Sequence, residues 1–134
     1  MNHPRLYRAV GVQLVPQDAL DFRSQDVASS MNGTLAWAVH DGSALVSGFL
    51  RARNGTSSAH DLDHDEVIHV LGGRFGVELV NGALIEAGPG ETLNLARGTR
   101  VRYVARDALV FFVRTESRNA APVRQTAQSV SADA

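Results

Sequence analysis

A chain of 134 residues, 44% hydrophobic, with no cysteine and a formal net charge of −1 suffices for one self-supporting domain and excludes disulfides and thiolate metal sites. All thirteen basic residues are arginine, which also excludes a Schiff-base lysine and a G-x-x-x-x-G-K-[ST] phosphate loop. Scattered, nearly balanced charges argue against a nucleic-acid partner. No apolar run is long enough for a signal peptide or a membrane span, so a cytoplasmic bacterial protein is expected.

In chain order, residues 1–34 read as an N-terminal arm. Within it Val10 to Val15 could form a strand, and Pro16-Gln-Asp-Ala-Leu-Asp could open a short helical turn. Short β runs follow at Leu35–Val39, Ala44–Arg51, Glu66–Leu71, Arg74–Val80, Ala83–Glu86, Thr92–Leu95, Arg100–Ala105 and Ala108–Arg114. Their close spacing between glycines and turn residues signals an all-β sandwich or barrel over residues 35–116. Asn81-Gly82, between two apolar runs, predicts a type I′ hairpin turn, and Ala87-Gly-Pro-Gly-Glu91 predicts a second turn one strand later. Asn32-Gly-Thr34 and Asn54-Gly-Thr56 match a glycosylation sequon but read as turns. Arg100, Arg102 and Val104 share one side of a strand, with Val101, Tyr103 and Ala105 on the other. Residues 117–134, rich in Ala, Ser, Gln and Asn without periodicity, are expected to be disordered.

The segment His60 to Gly73, H-D-L-D-H-D-E-V-I-H-V-L-G-G, concentrates the possible metal ligands and proton carriers. Glu66 stands seven residues before Gly73. A strand, an N-G turn, another strand, Gly90-Glu91 and Ala96-Arg97-Gly98 follow. This series resembles the cupin superfamily, whose motifs run roughly G-x5-H-x-H-x3–4-E-x6-G and G-x5-P-x-G-x2-H-x3-N. It is most similar to the EutQ-type cupins of ethanolamine utilisation, with W-x-L-x-Y-D-E-x-x-x-V-L-E-G, A-G-D-x-x-x-I-P-K-G and an R-F-L-Y-V-like strand. Here these read H-D-L-D-H-D-E-V-I-H-V-L-G-G, A-G-P-G-E-T-L-N-L-A-R-G and A-L-V-F-F-V, with Ser47-Gly48-Phe49 matching an upstream G-F pair. The resemblance covers about residues 44 to 115. It implies a single-domain double-stranded β-helix (a jelly-roll barrel), a ligand pocket inside it and a homodimer. It also implies association with bacterial microcompartments, and acetate kinase activity has been ascribed to the family.

The chain departs from the superfamily's metal pattern. Counting back from Glu66, the first-motif histidine pair falls at His60 and Leu62, or at Ala59 and Asp61. The second-motif histidine is Val101 and its proline is Ala96. At best two of the four usual ligands remain, His60 and Glu66, while His64 and His69 are additional. On a strand, residues 64, 66, 68 and 70 share one face, so His64 and Glu66 point together and His69 points away. Residues two apart lie about 6.6 Å apart, whereas His60 would be about 20 Å from Glu66 unless the chain turns between Asp61 and Asp65. The expected pocket residues are therefore His64, Glu66 and Tyr103. The conditional metal set is His60, His64 and Glu66, holding one divalent transition metal. Asp61, Asp63 and Asp65 read as a solvated loop or strand edge, His69 as a surface or interface residue, and Trp37, Phe49, Phe111 and Phe112 as core or dimer contacts.

Other catalytic patterns fail: there is no G-x-S-x-G elbow, no H-E-x-x-H helix and no calcium loop. Gly72-Gly73-Arg74-Phe75-Gly76 is not a nucleotide loop. Three functions stay open. One is a EutQ-like cupin in ethanolamine or related small-molecule catabolism. Another is a metal-dependent isomerase, decarboxylase or oxygenase using His60, His64 and Glu66. The third is a non-catalytic protein that binds a small acid or amine or serves in assembly.

Overall fold

The computed structural model describes residues 7–9, 11–24, 33–39 and 44–115. Strands β1 (Tyr7–Ala9) and β2 (Val12–Leu14) form a two-stranded ribbon, and a single 3-10 turn, Gln17–Ala19, follows where Pro16 opened a helical reading. The remaining strands are β3 (Arg23–Ser24), β4 (Gly33–Val39), β5 (Leu45–Ala52), β6 (Gly55–Thr56), β7 (His60–Asp61), β8 (Glu66–Leu79), β9 (Leu84–Ala87), β10 (Thr92–Leu95) and β11 (Arg100–Thr115). All belong to one antiparallel sheet in the order β10-β8-β11-β5-β4-β3, with β9 on β8 and with β6 and β7 on β11. The all-β expectation holds. The strand reading at Val10 and the disordered tail at 117–134 lie outside the described residues.

Two pairs of expected strands are single long ones. Glu66–Leu71 and Arg74–Val80 join as β8; Arg100–Ala105 and Ala108–Arg114 join as β11. The glycine pair and Arg106-Asp107 are irregularities within these strands rather than turns between strands. The β8–β11 ladder shifts register between Arg106 and Val110, where Gly73 has φ of 70° and Asp107 has φ of 51°. The shift reverses which side chains face inward. On β8 the buried residues are Glu66, Ile68 and Val70 before it and Phe75 and Val77 after it. On β11 they are Val101 and Ala105 before it and Ala108, Val110 and Phe112 after it. Such a bulge bends a strand and re-aims its side chains. β8 and β11 thereby run through both halves of the fold, and their buried residues share one core with Leu50, Leu62, Leu93 and Leu95.

The hairpin turn after β8 is a second correction. A type I′ turn needs positive φ at both central residues, but Asp107 is the only non-glycine residue with positive φ among the described residues. Instead the Gly82 N–H donates to the Leu79 carbonyl at 2.8 Å and Gly82 takes φ of 91°. The Asn81 side chain accepts from the Ala83 N–H at 2.9 Å. A three-residue loop places the left-handed residue at the glycine alone, where it costs least. The Gly88–Glu91 turn forms as expected, closed by the Glu91 N–H on the Gly88 carbonyl at 3.0 Å.

Candidate functional site: an acid–base cluster inside the barrel

Three rows of residues cross the inner face of the sheet's upper half. They are Leu35–Leu50–Val110–Val70, Trp37–Gly48–Phe112–Ile68–Leu93 and Val46–Arg114–Glu66–Leu95. The first two are apolar, and the third carries a cation and an anion side by side. Gly48 has a packing role: a Cβ there would stand 2.7 Å from the Ala36 carbonyl oxygen and 3.0 Å from the Phe112 ring. With no side chain in the way, Trp37 and Phe112 meet edge to face over it, centroids 5.6 Å apart.

These rows wall a cavity of about 320 Å³ that is also lined by His60, His64, Phe75 and Tyr103. The chain turns between Asp61 and Glu66, as the inclusion of His60 required. The Leu62 N–H donates to the Thr99 carbonyl at 3.0 Å, and the Gly98 N–H donates to the Leu62 carbonyl at 2.8 Å. The Leu62 side chain is buried in the core. This anchors the loop and delivers His64 inward. Asp65 fixes the next step through its carboxylate, which accepts from the Arg97 N–H at 2.9 Å, and its N–H, which donates to the Thr115 hydroxyl at 3.1 Å. Asp61 and Asp63 are exposed, as a solvated loop requires.

The structure brings the three expected pocket residues together. Glu66 is 8% exposed and His64 7%. Glu66 Oε1 accepts the Tyr103 hydroxyl at 2.7 Å and lies 3.3 Å from His64 Nε2. On its other side, His64 Nδ1 is 2.7 Å from Asp63 Oδ1. Burial disfavours the charged imidazole and is the largest single influence on it, but the Glu66 and Asp63 carboxylates together outweigh it and hold the His64 pKa above its usual value. Both ring nitrogens face carboxylate oxygens, and the protonated ring that this shift favours can donate to both. Burial first, and then the neighbouring Glu66 charge, push the Tyr103 phenol far above its ordinary range, so it serves as a neutral donor. A buried carboxylate needs such partners to remain charged. Its second oxygen, Oε2, makes no hydrogen bond among the described residues.

Sequence reasoning did not single out Ser57 or Arg114. Buried Ser57 accepts the Tyr103 N–H at its hydroxyl (2.8 Å), and its own N–H donates to the Tyr103 carbonyl at 2.8 Å, which pins the tyrosine backbone. Arg114 reaches over the Trp37 ring at 5.2 Å and lines the same cavity. Its signal was available: on β11, Arg114 shares a face with Phe112 and Val110 by simple alternation. His69 points outward as expected, with Nδ1 2.9 Å from the Thr92 hydroxyl.

The metal set is placed differently from the pocket trio. His60 lines the cavity, but its Nδ1 lies 3.3 Å from the Ser58 carbonyl and its ring packs against Tyr103 with centroids 5.3 Å apart. Among the described residues no group of three or more His, Asp or Glu side chains is arranged to hold a metal ion. Both His64 ring nitrogens are within 3.3 Å of a carboxylate oxygen. Val101, at the second-motif histidine position, is fully buried in the core. As arranged, these residues do not fit a metal centre.

Solved structures share this architecture. EutQ of Salmonella typhimurium LT2, described as an ethanolamine utilization protein, superposes with a TM-score of 0.71 at 23% identity, over 82% of this chain and 89% of its own. Clostridium difficile EutQ gives 0.69 at 16% identity, over 83% and 85%. The chain has the cupin fold. The polyketide cyclase RemF of Streptomyces resistomycificus matches with a TM-score of 0.64 at 22% identity, over 77% of each chain. No protein-family model and no curated protein matches the sequence. Among the described residues no helix is long and apolar enough to cross a membrane.

Proposed function

We propose that this cupin-fold chain is a EutQ-like small-molecule protein that takes an organic ligand into its barrel and presents Glu66 to it. The observation that supports this most directly is the arrangement of Glu66. One oxygen is fixed by Tyr103 and His64, and the other is left without a hydrogen bond on the wall of a cavity of about 320 Å³. Volumes of a few hundred Å³, mostly apolar with a few convergent polar groups, are typical of ligand sites. A carboxylate so held can accept a hydrogen bond or a proton from a ligand, and the adjacent imidazolium can return one. The likeness to the two EutQ structures supports a setting in ethanolamine or related small-molecule catabolism, with microcompartment association as part of the same proposal.

The test is ligand binding followed by Trp37 fluorescence and by thermal shift, over a panel of small acids, alcohols and amines. Saturable binding that Glu66→Gln weakens, with the fold intact, is expected. A panel with no saturable binder would remove the proposal.

We also propose a homodimer through the outer face of the sheet. Phe49 and Phe111, 5.0 Å apart, lie in one row with His69, and Val67 and Leu71 are exposed beside them. Light scattering on wild type and Phe111→Arg decides this, since a monomeric wild type would exclude it.

A further inference from the structure

The cavity's charges are unevenly matched. Arg114 and Glu66 are cross-strand neighbours on the inner face of the β8–β11 ladder, a placement that ordinarily favours an ion pair. They make none. Glu66 Oε1 is occupied by Tyr103 and His64, and the Arg114 guanidinium lies instead over the Trp37 ring. Arg23, Arg74, Arg100, Arg102 and Arg106 each have a carboxylate within 4 Å, and Arg51, Arg53 and Arg97, which have none among the described residues, do not line the cavity. Arg114, half-buried and facing inward, has no such partner among the described residues.

We infer that the ligand is a small monocarboxylate with an apolar body, its carboxylate received by Arg114 and its body lodged against Phe112, Ile68 and Val110. The inference rests on the reading that the cavity takes a ligand. Within the cavity Glu66 Oε1 is already taken by Tyr103 and His64, which leaves Arg114 as a lining charge with no carboxylate against it among the described residues. A guanidinium laid on an aromatic face is held in place by cation–π attraction while its in-plane N–H groups remain available. Those donors match a carboxylate in two-point geometry. A second, outer pocket of about 340 Å³ also has Glu66 and Arg114 in its wall, so both groups stand where the interior meets the surface. An anion can therefore reach Arg114 while the apolar end fills the interior. A protonated amine seated at Arg114 would meet a like charge and find a carboxylate only at Glu66, whose Oε1 Tyr103 and His64 already hold, and a neutral alcohol would leave the guanidinium unmatched.

Phenylacetate, 2-phenylethanol and 2-phenylethylamine share one ring and chain length and differ in charge. Their affinities can be read from Trp37, the only tryptophan in the chain, and by calorimetry on the full protein. Phenylacetate should bind at least about tenfold more tightly than the alcohol, as a charge-assisted hydrogen-bonded pair implies, and the amine should bind most weakly. Arg114→Gln should bring acid and alcohol to within about threefold of each other, leaving the alcohol's own affinity in place. Arg114→Met, which keeps an apolar stem over Trp37, serves if the glutamine variant does not fold. Equal or tighter binding of the alcohol or the amine by the wild type overturns the inference while leaving the cavity reading standing. So does an acid preference that survives loss of the Arg114 charge. If none of the three binds while another member of the wider panel does, the inference falls and the cavity reading stands; if nothing in that panel binds, both fall.

Discussion

The Tyr103 hydroxyl donates to Glu66 Oε1 at 2.7 Å across the interior of the barrel, between residues that are not paired in any ladder. Tyr103 comes from β11 before its bulge and Glu66 from β8 before its own, so the bond joins the two halves of the fold. Removing it with Tyr103→Phe leaves a buried carboxylate with one donor fewer. Hydrogen bonds to charged groups contribute about 1.5–3 kcal/mol, and a loss of that size in urea unfolding is expected. Unchanged stability in the phenylalanine variant would mean that Glu66 does not depend on the phenol to stay buried.

His64 gives the protein a pH signature. Its folded pKa is raised above 6.5, the ordinary value, against the opposing effect of burial and through the Glu66 and Asp63 carboxylates. A group of this kind contributes stability in full below its unfolded pKa and loses that contribution as pH rises through the folded pKa. The melting temperature should therefore decline as pH is raised from about 6.5, and His64→Gln should flatten that decline. An identical pH dependence in wild type and variant would show that another group titrates there.

Metal content follows from the same imidazole. With both His64 nitrogens directed at carboxylates and His60 turned to the Ser58 carbonyl, protein purified without added metals should carry no stoichiometric transition metal. Elemental analysis checks this. One equivalent of iron, manganese, nickel or zinc that is lost in His64→Ala would contradict it.

Gly73 and Gly72 offer a paired test of the β8 bulge. A Cβ at Gly73 would stand 2.0 Å from the Asp107 carbonyl oxygen, on a backbone with φ of 70°, whereas at Gly72 nothing lies within 4 Å. Gly73→Ala should cost about 2 kcal/mol or more, since left-handed strain alone is about 1–2 kcal/mol. Gly72→Ala should stay within about 1 kcal/mol of wild type. Equal costs at the two positions would detach the bulge from Gly73.

How much of this could be read from the sequence depended on the range of the signal. Alternation within a strand is local, and it placed Tyr103 and Val101 on one face and brought His64 and Glu66 together. Motif spacing carried the cupin likeness despite the missing second-motif histidine. The two bulges were read as breaks because a glycine pair and an Arg-Asp step look the same whether a strand ends or kinks. What separates the cases is that Gly73 and Asp107 abut in space. Arg114 escaped notice for a related reason. Its importance comes from the occupation of Glu66 by Tyr103, 37 residues away along the chain, a partnership that no local pattern encodes.

The matched bulges at Gly73 and Asp107 also constrain how the chain can change length. Deleting one residue at the β8 bulge alone would reverse the facing of one half of that strand relative to the other, turning Val67 and His69 inward and Glu66 outward. The β11 bulge would no longer have a counterpart. Deleting a residue from both strands would restore their mutual pairing but send Glu66 and Arg114 together to the outer surface. Chains that share this cavity should therefore tolerate insertions in the loop around Asn81 and almost none at these two levels. A single-residue deletion scan would appear as two narrow intolerant windows on either side of a permissive hairpin.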